Sequence, residues 1–274
     1  MTSRPSPPRL ASLMTQVPRV RHVPWIPLAW LALILLGGLL SAGAALRLPS
    51  ESLAPPGLHH PLGTDLLGRD EGLRLLAGGL RTLRMAAAAT LIAAVLGSVW
   101  GLVAGHAGGW LEWILVHAND VLLSVPGLVL ALVVIAALGQ HEATIVLAVG
   151  VGGVGSFARL ARSAAAQTTH RSYVLAARAL GAGEARLLQR HIFPNTFEAL
   201  TAFALLHFGW ALVNSASLTF LGLGGAPSTP DWGQMLNESR LVFLNAPWLA
   251  AAPGTALALT VLAVQRLGEW IAKP

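Results

Sequence analysis

Long stretches of this chain contain no Asp, Glu, Lys or Arg, and several are long enough to cross a lipid bilayer as helix, which takes about 20 residues. Six such runs can be marked, at 25–46, 85–105, 121–139, 143–158, 199–221 and 246–264. The fourth, with 16 residues, must borrow from its flanks to span fully. None alternates apolar and polar side chains as a membrane-barrel strand does. Pro and Gly within the runs are compatible with helix, because neighbouring helices re-satisfy the backbone groups that they free. The expectation is therefore an all-α integral membrane protein with six transmembrane helices. The first run follows 24 residues and continues for 22 without a charge, which reads as a retained helix rather than a cleaved signal peptide.

Composition excludes several chemistries. Hydrophobic residues make up 54% of the chain and charged residues 11%, against roughly 25% charged in an average soluble domain. The formal charge is +6, carried almost wholly by Arg, because Lys273 is the only lysine. A phosphate-binding Walker loop and a Schiff-base enzyme both need a lysine in the body of the chain, so any nucleotide hydrolysis belongs to a partner. With no cysteine there is no disulfide framework, thiolate nucleophile or cysteine zinc site. No paired intramembrane carboxylates, H-E-x-x-H helix or nucleophile elbow supports a membrane-embedded enzyme.

Basic residues set the expected orientation. Arg4, Arg9, Arg19 and Arg21 precede the first run, six Arg lie between the fourth and fifth, and Arg266 and Lys273 follow the sixth. On the opposite side stand Arg47, Arg69, Arg74, Arg81, Arg84 and Arg240. The larger share places both termini in the cytoplasm. Leu73, Leu76, Leu80 and Leu83 recur at helical spacing, which predicts a surface helix carrying the external basic residues.

The longest cytoplasmic connection is 159–198, and within it 173–194 reads Y-V-L-A-A-R-A-L-G-A-G-E-A-R-L-L-Q-R-H-I-F-P. Helix formers dominate both halves, and Gly181 and Gly183 interrupt the middle. Two short helices meeting at a turn are expected, the second stopped by Pro194. Arg171 and Arg178, and Arg186 and Arg190, are spaced to share helical faces. Such a basic elbow suits anionic lipid headgroups or a docking partner; a passive channel would have no use for it.

The elbow resembles the cytoplasmic coupling loop of bacterial ABC importer permeases, whose pattern is Glu-Ala-Ala, three residues, Gly, nine residues, Ile, one residue, Leu-Pro. Ala176, Ala177, Gly181 and Pro194 fall in register, while Leu175, His191 and Phe193 replace the Glu, Ile and Leu. The ending H-I-F-P-N at 191–195 is similar to the dipeptide, oligopeptide and nickel branch. So is H-P-L-G-T-D-L-L-G-R-D at 60–70, which looks like the external segment of that branch's second membrane subunit. Read by itself, this stretch is a set of turn formers with Thr64 or Asp65 as a helix cap, and His59 and His60, being adjacent, lack the separation of a preformed metal site. S-L-T-F-L-G-L-G-G at 217–225, then Pro227 and 231–233 as D-W-G, and Q-R-L-G-E-W at 265–270 complete the resemblance, which covers roughly 60–270.

The resemblance implies an ABC type I importer permease fold with a cytoplasmic coupling helix: a cytoplasmic segment 1–24, a first transmembrane helix 25–46, an external segment 47–84, and a core 85–274 with five transmembrane helices and the coupling loop 159–198. It implies a bacterial cytoplasmic (inner) membrane location and the import of dipeptides or oligopeptides, or alternatively nickel or a metal chelate. Implied partners are a homologous permease subunit in a heterodimer, two cytoplasmic ATPase subunits that use ATP and Mg, an extracytoplasmic solute-binding protein and the lipid bilayer, with no nucleic acid. This chain would bind no cofactor or metal and have no catalytic residue. Tyr173, Ala176, Ala177, Arg178, Gly181, His191 and Pro194 are the expected ATPase-coupling residues. Polar groups within bilayer spans are candidates for a solute path. Here these are Asp120, Asn214 and Ser215, with Asn119, His207 and Ser217 as further polar residues that either line the path or bond neighbouring helices. Glycines at 97, 101, 150, 152, 153 and 155 predict tight helix contact and sliding.

Overall fold

The computed structural model describes residues 24–41, 43, 51–224 and 229–272. The arginines at 4, 9, 19, 21 and 47, the end of the first run, Gly225, Pro227 and Lys273 lie outside the described residues. Among the described residues every regular element is a helix. They are α1 (Trp25–Ser41), α2 (Glu71–Ala107), α3 (Gly109–Ser124), α4 (Gly127–Leu138), α5 (Glu142–Thr169), α6 (Ser172–Ala179), α7 (Glu184–Leu187), a π-helical turn (Leu188–Ile192), α8 (Phe193–Phe220), α9 (Trp232–Ser239) and α10 (Trp248–Ala272). The described parts of all six apolar runs fall on helices, the third on two, and α1 with 17 residues is shorter than a full span. α2, α5, α8 with its preceding turns, and α10 are long and apolar enough to cross a membrane, and α3 with α4 form a bent pair that counts as a fifth span.

The backbone departs from the expected boundaries where charge or proline misled the reading. α2 begins at Glu71, so the helix predicted on the surface is instead the first part of a 37-residue rod, about 55 Å long. Its charges are not solvated on one face: Arg74 is buried, with 2% of its side chain exposed. The third run does not span as one helix, because Pro126 and Gly127 break it and turn the chain through 89°. Pro removes a donor from the ladder and its ring clashes with the preceding turn, so a sharp kink there has an identifiable cause.

Pro194 does the opposite of what was expected. It sits in the first turn of α8, and helical structure runs through it from Glu184 to Phe220. The preceding turn widens to π geometry, with the Phe193 amide donating to the Leu188 carbonyl, and the Asn195 side-chain amide donates to the His191 carbonyl at 2.6 Å. The loop 159–198 is correspondingly shorter than the sequence implied, since α5 continues to Thr169.

The core is organised around α2 against α5. A Cβ on Gly97, Gly101 or Gly105 would collide with the backbone or Cβ atoms of Val154, Phe157, Ala158, Ala161, Arg162 and Ala165 on α5. Small residues at this spacing let two helix backbones touch, which is how helices associate where lipid leaves no hydrophobic driving force. α1 lies over α2 and α10, with Trp30 donating to the Thr260 hydroxyl at 2.9 Å. Leu33, Leu36 and Leu40 of α1 and Leu91, Leu96 and Val99 of α2 face outward, far more apolar surface than a soluble monomer presents.

Candidate functional site

Three polar constructions stand out against this apolar body. The first is the elbow. α6 and α7 are the two short helices expected from the sequence, and Gly181 between them has φ +86°, a left-handed conformation that glycine adopts without strain. Val174, Leu187 and Ile192 are fully buried, and Ile192 belongs to an apolar cluster with Leu102 of α2 and Ala161 and Ala165 of α5. Tyr173, Ala176, Arg178 and Gly181 are exposed, Ala177 and His191 are half-buried, and Pro194 is exposed at the start of α8. The Tyr173 and His191 rings lie 6.2 Å apart. Arg178 closes the turn by donating from Nε and Nη2 to the two Glu184 oxygens at 2.9 Å each. Arg171 occupies the N-cap position of α6 and makes no side-chain capping bond there. The structure thus gathers the expected coupling residues into one compact protrusion, held from beneath by apolar contacts.

The second construction is a cavity of about 390 Å³ at the α3–α4 bend, closed on the other side by α5 and α8. Pro126, Gly152, Ser156, Phe203, His207 and Trp210 line it among leucines. His207 is 95% buried by its 5% exposure, and neither ring nitrogen bonds to another protein group among the described residues. Gly153 makes room for it, since a Cβ there would fall on the imidazole. Phe157 and Trp210 pack on its ring with centroids at 5.0 and 4.9 Å.

The polar residues singled out from the sequence do not converge on this cavity. Asp120 is exposed on α3, 3.5 Å from Arg159, and lines a separate small pocket. Asn214 donates to the Trp210 carbonyl of its own helix at 2.9 Å, and Ser217 does the same to Val213. Ser215 is buried against the core, and Asn119 joins α3 to α5 through the Gly155 carbonyl at 3.3 Å. Of the polar residues singled out, only His207 lines the cavity; Ser156 and Trp210 were missed, although the S-V-P-G sequence at 124–127 marks the break that opens it.

The third construction is a knot at the opposite end from the elbow. Thr64 and Asp65 do not cap α2; Asp70 does, accepting from the Leu73 amide at 2.9 Å while bonded to His60 Nδ1 at 2.7 Å. Asp65 accepts from the Leu67 and Arg69 amides, from Arg69 Nε and from Arg74 Nη1, all within 2.8 Å. Arg74 Nη2 reaches Glu238 of α9 at 2.6 Å. Thr64 ties the same turn back to Glu51 and Ala54. Nearby, Arg81 donates to Glu142 at 3.0 Å and to Thr229, and Asp231 caps α9. The G-T-D-L-L-G-R-D stretch is therefore a built scaffold of charge-assisted bonds.

Comparison with known proteins places these features. The family model described as "Binding-protein-dependent transport system inner membrane component" matches residues 97–273, which include the elbow and the cavity. A relative from Pectobacterium atrosepticum, the glutathione transport system permease protein GsiD, is 38% identical over 214 residues, covering 78% of this chain and 71% of the relative. The protein of that name from Escherichia coli O6:K15:H31 is 39% identical with the same coverage. Among solved structures, the MetNI methionine ABC transporter in inward-facing conformations matches with TM-score 0.62 at 18% identity, covering 73% of this chain and 95% of that one. An amino acid ABC transporter with histidines matches with TM-score 0.59 at 17% identity, covering 73% and 93%.

Proposed function

The chain belongs to the family of binding-protein-dependent transport system inner membrane components, and from that membership we propose that it carries small peptides inward across the bacterial cytoplasmic membrane. It is a membrane permease subunit of an ABC importer and not itself an enzyme; the family works with ATPase subunits and a binding protein. Peptide cargo is supported by the relatives, named for glutathione, a tripeptide. It is also supported by the H-I-F-P-N and G-T-D-L-L-G-R-D stretches, which resemble the dipeptide and oligopeptide branch.

In this reading a homologous permease subunit completes the membrane portion, both termini are cytoplasmic, and two ATPase subunits bind ATP and Mg while this chain binds neither. The elbow sits in a groove of an ATPase subunit. The observation that carries this is its division into a buried apolar base and an exposed face of Tyr173, Ala176, Arg178 and Gly181, small or flat where a partner must approach closely. ATP binding closes the ATPase pair, the elbow moves with it, and the space between the two membrane subunits changes the side to which it opens. Each state must bind nucleotide with different affinity for ATP to drive the change.

The test is uptake by proteoliposomes holding both membrane subunits, both ATPase subunits and the loaded binding protein. ATP-dependent entry of labelled di- and tripeptides is expected. Entry of nickel or a metal chelate with no peptide uptake would replace the cargo. Failure of ATPase subunits to co-purify with this chain would remove the coupling role of the elbow.

A further inference from the structure

We propose that His106, in the last turn of α2, is a positioning residue that passes displacement of the elbow into α2 through Glu184. This rests on the elbow being the ATPase contact and adds how its movement enters the membrane helices.

One carboxylate joins three elements. Glu184 opens α7, and both of its oxygens accept from Arg178 of α6. Its Oε2 also lies 3.1 Å from His106 Nε2. The turn around Gly181 is thereby closed and, by the same group, fastened to α2. His106 is mostly shielded, with 14% of its side chain exposed, and its Nδ1 bonds to no protein group among the described residues, so Glu184 is the polar partner that the structure gives it. The 3.1 Å approach is an ion-pair contact with a carboxylate whose side chain is 56% exposed, and both the cation and one neutral tautomer carry an N–H on Nε2 that can face it.

The chain itself explains why such a link is useful. The elbow is continuous with α5, which ends at Thr169, and with α8, which begins at Phe193, so both receive its movement through the backbone. α2 has no covalent connection to it: residues 108–171 intervene. Yet α2 is the helix that reaches the far side, where Arg74 and Arg81 hold Asp65, Glu238 and Glu142. Gly105, beside His106, rests against Arg162 and Ala165 of α5. A tether at His106 thus makes the end of α2 follow the elbow together with α5, and the scaffold at the opposite end follows in turn.

The experiment uses the complete importer in proteoliposomes with its binding protein, comparing His106→Ala and His106→Gln with the unaltered chain. Three quantities are read: ATPase subunits retained on purification, ATP hydrolysis stimulated by the loaded binding protein, and peptide imported per ATP hydrolysed. In His106→Ala the ATPase subunits remain and hydrolysis continues, while peptide per ATP falls by about fivefold or more, the lower end of an ordinary coupling between sites. His106→Gln, whose amide donates to the same carboxylate, restores most of that ratio. An unchanged ratio in His106→Ala overturns the proposal, as does an equal loss in both variants or loss of the ATPase subunits from His106→Ala alone. Absence of ATPase subunits from the unaltered complex is a different result, and it defeats the elbow reading itself.

Discussion

Arg74 and Glu238 are 164 positions apart in the chain, and their side chains meet at 2.6 Å. Arg74 also holds Asp65 through Nη1 at 2.5 Å, so one guanidinium joins the 51–70 segment, α2 and α9. Removing a buried cation strands the acids around it, which costs about 3–5 kcal/mol. Arg74→Met should therefore lower the melting temperature of the purified protein sharply. Glu238→Gln, with 27% of the native side chain exposed, should lower it much less. Equal shifts would show that Arg74 is not the centre of the knot.

The α2–α5 contact makes a second contrast. Gly101→Val forces a branched side chain into the Ala158 carbonyl and the Ala161 Cβ, and overpacking of this kind costs about 1–3 kcal/mol or more. Gly152→Ala should be nearly neutral, since its Cβ would meet only the Trp210 ring edge at 3.6 Å. Melting temperatures and membrane abundance of the two variants check the difference.

Asp231 lies between α8 and α9, outside the spanning helices, and burial pushes its carboxyl above the ordinary 3.8, opposed by hydrogen bonds from Thr219 and from the Gln234 and Gly233 backbone and by the Arg81 charge. A carboxyl raised on folding binds its proton more tightly in the folded protein. Its contribution is therefore complete below the unfolded value and is lost as pH rises through the folded one. Asp231→Asn keeps the cap acceptor and escapes that loss, so its stability relative to the native chain should rise as pH climbs above the ordinary 3.8. Asp231→Ala loses the cap and should be less stable by about 0.5–2 kcal/mol. Thermal unfolding of the three proteins as a function of pH decides the sign.

At Gly181 the space around the missing side chain is open, with nothing within 4 Å, but φ is +86°. Asn tolerates that conformation better than other residues, so Gly181→Asn should assemble and transport. Gly181→Trp should reach the membrane in normal amount yet lose uptake by about tenfold or more, the scale of a residue at the centre of an interface. Normal uptake by the Trp variant would falsify the docking of this turn.

What the sequence made legible was the apolar part. The described part of each charge-free run lies on helix, the third on two helices, and the elbow's two helices and central turn were readable from Ala, Leu and the paired glycines. The start of α2 was not, because Glu71, Arg74 and Arg81 look like solvent-facing charges until their partners are known, and Glu142, Thr229 and Glu238 come from distant segments. Proline was ambiguous for a related reason. At Pro126 no compensation exists and the helix breaks; at Pro194 a widened turn and the Asn195 amide carry the helix across. The cavity escaped notice because Ser156, His207 and Trp210 lie on two helices whose register the sequence does not state.

The glycines of α2 have a mechanical meaning beyond stability. At positions 97, 101 and 105 they set peptide against peptide along two helical turns of α5. Side chains hop between staggered wells, and a joint made of them has backlash. Peptide planes have no such wells, so this seam transmits a push as a splice between two beams does, with almost no lost travel.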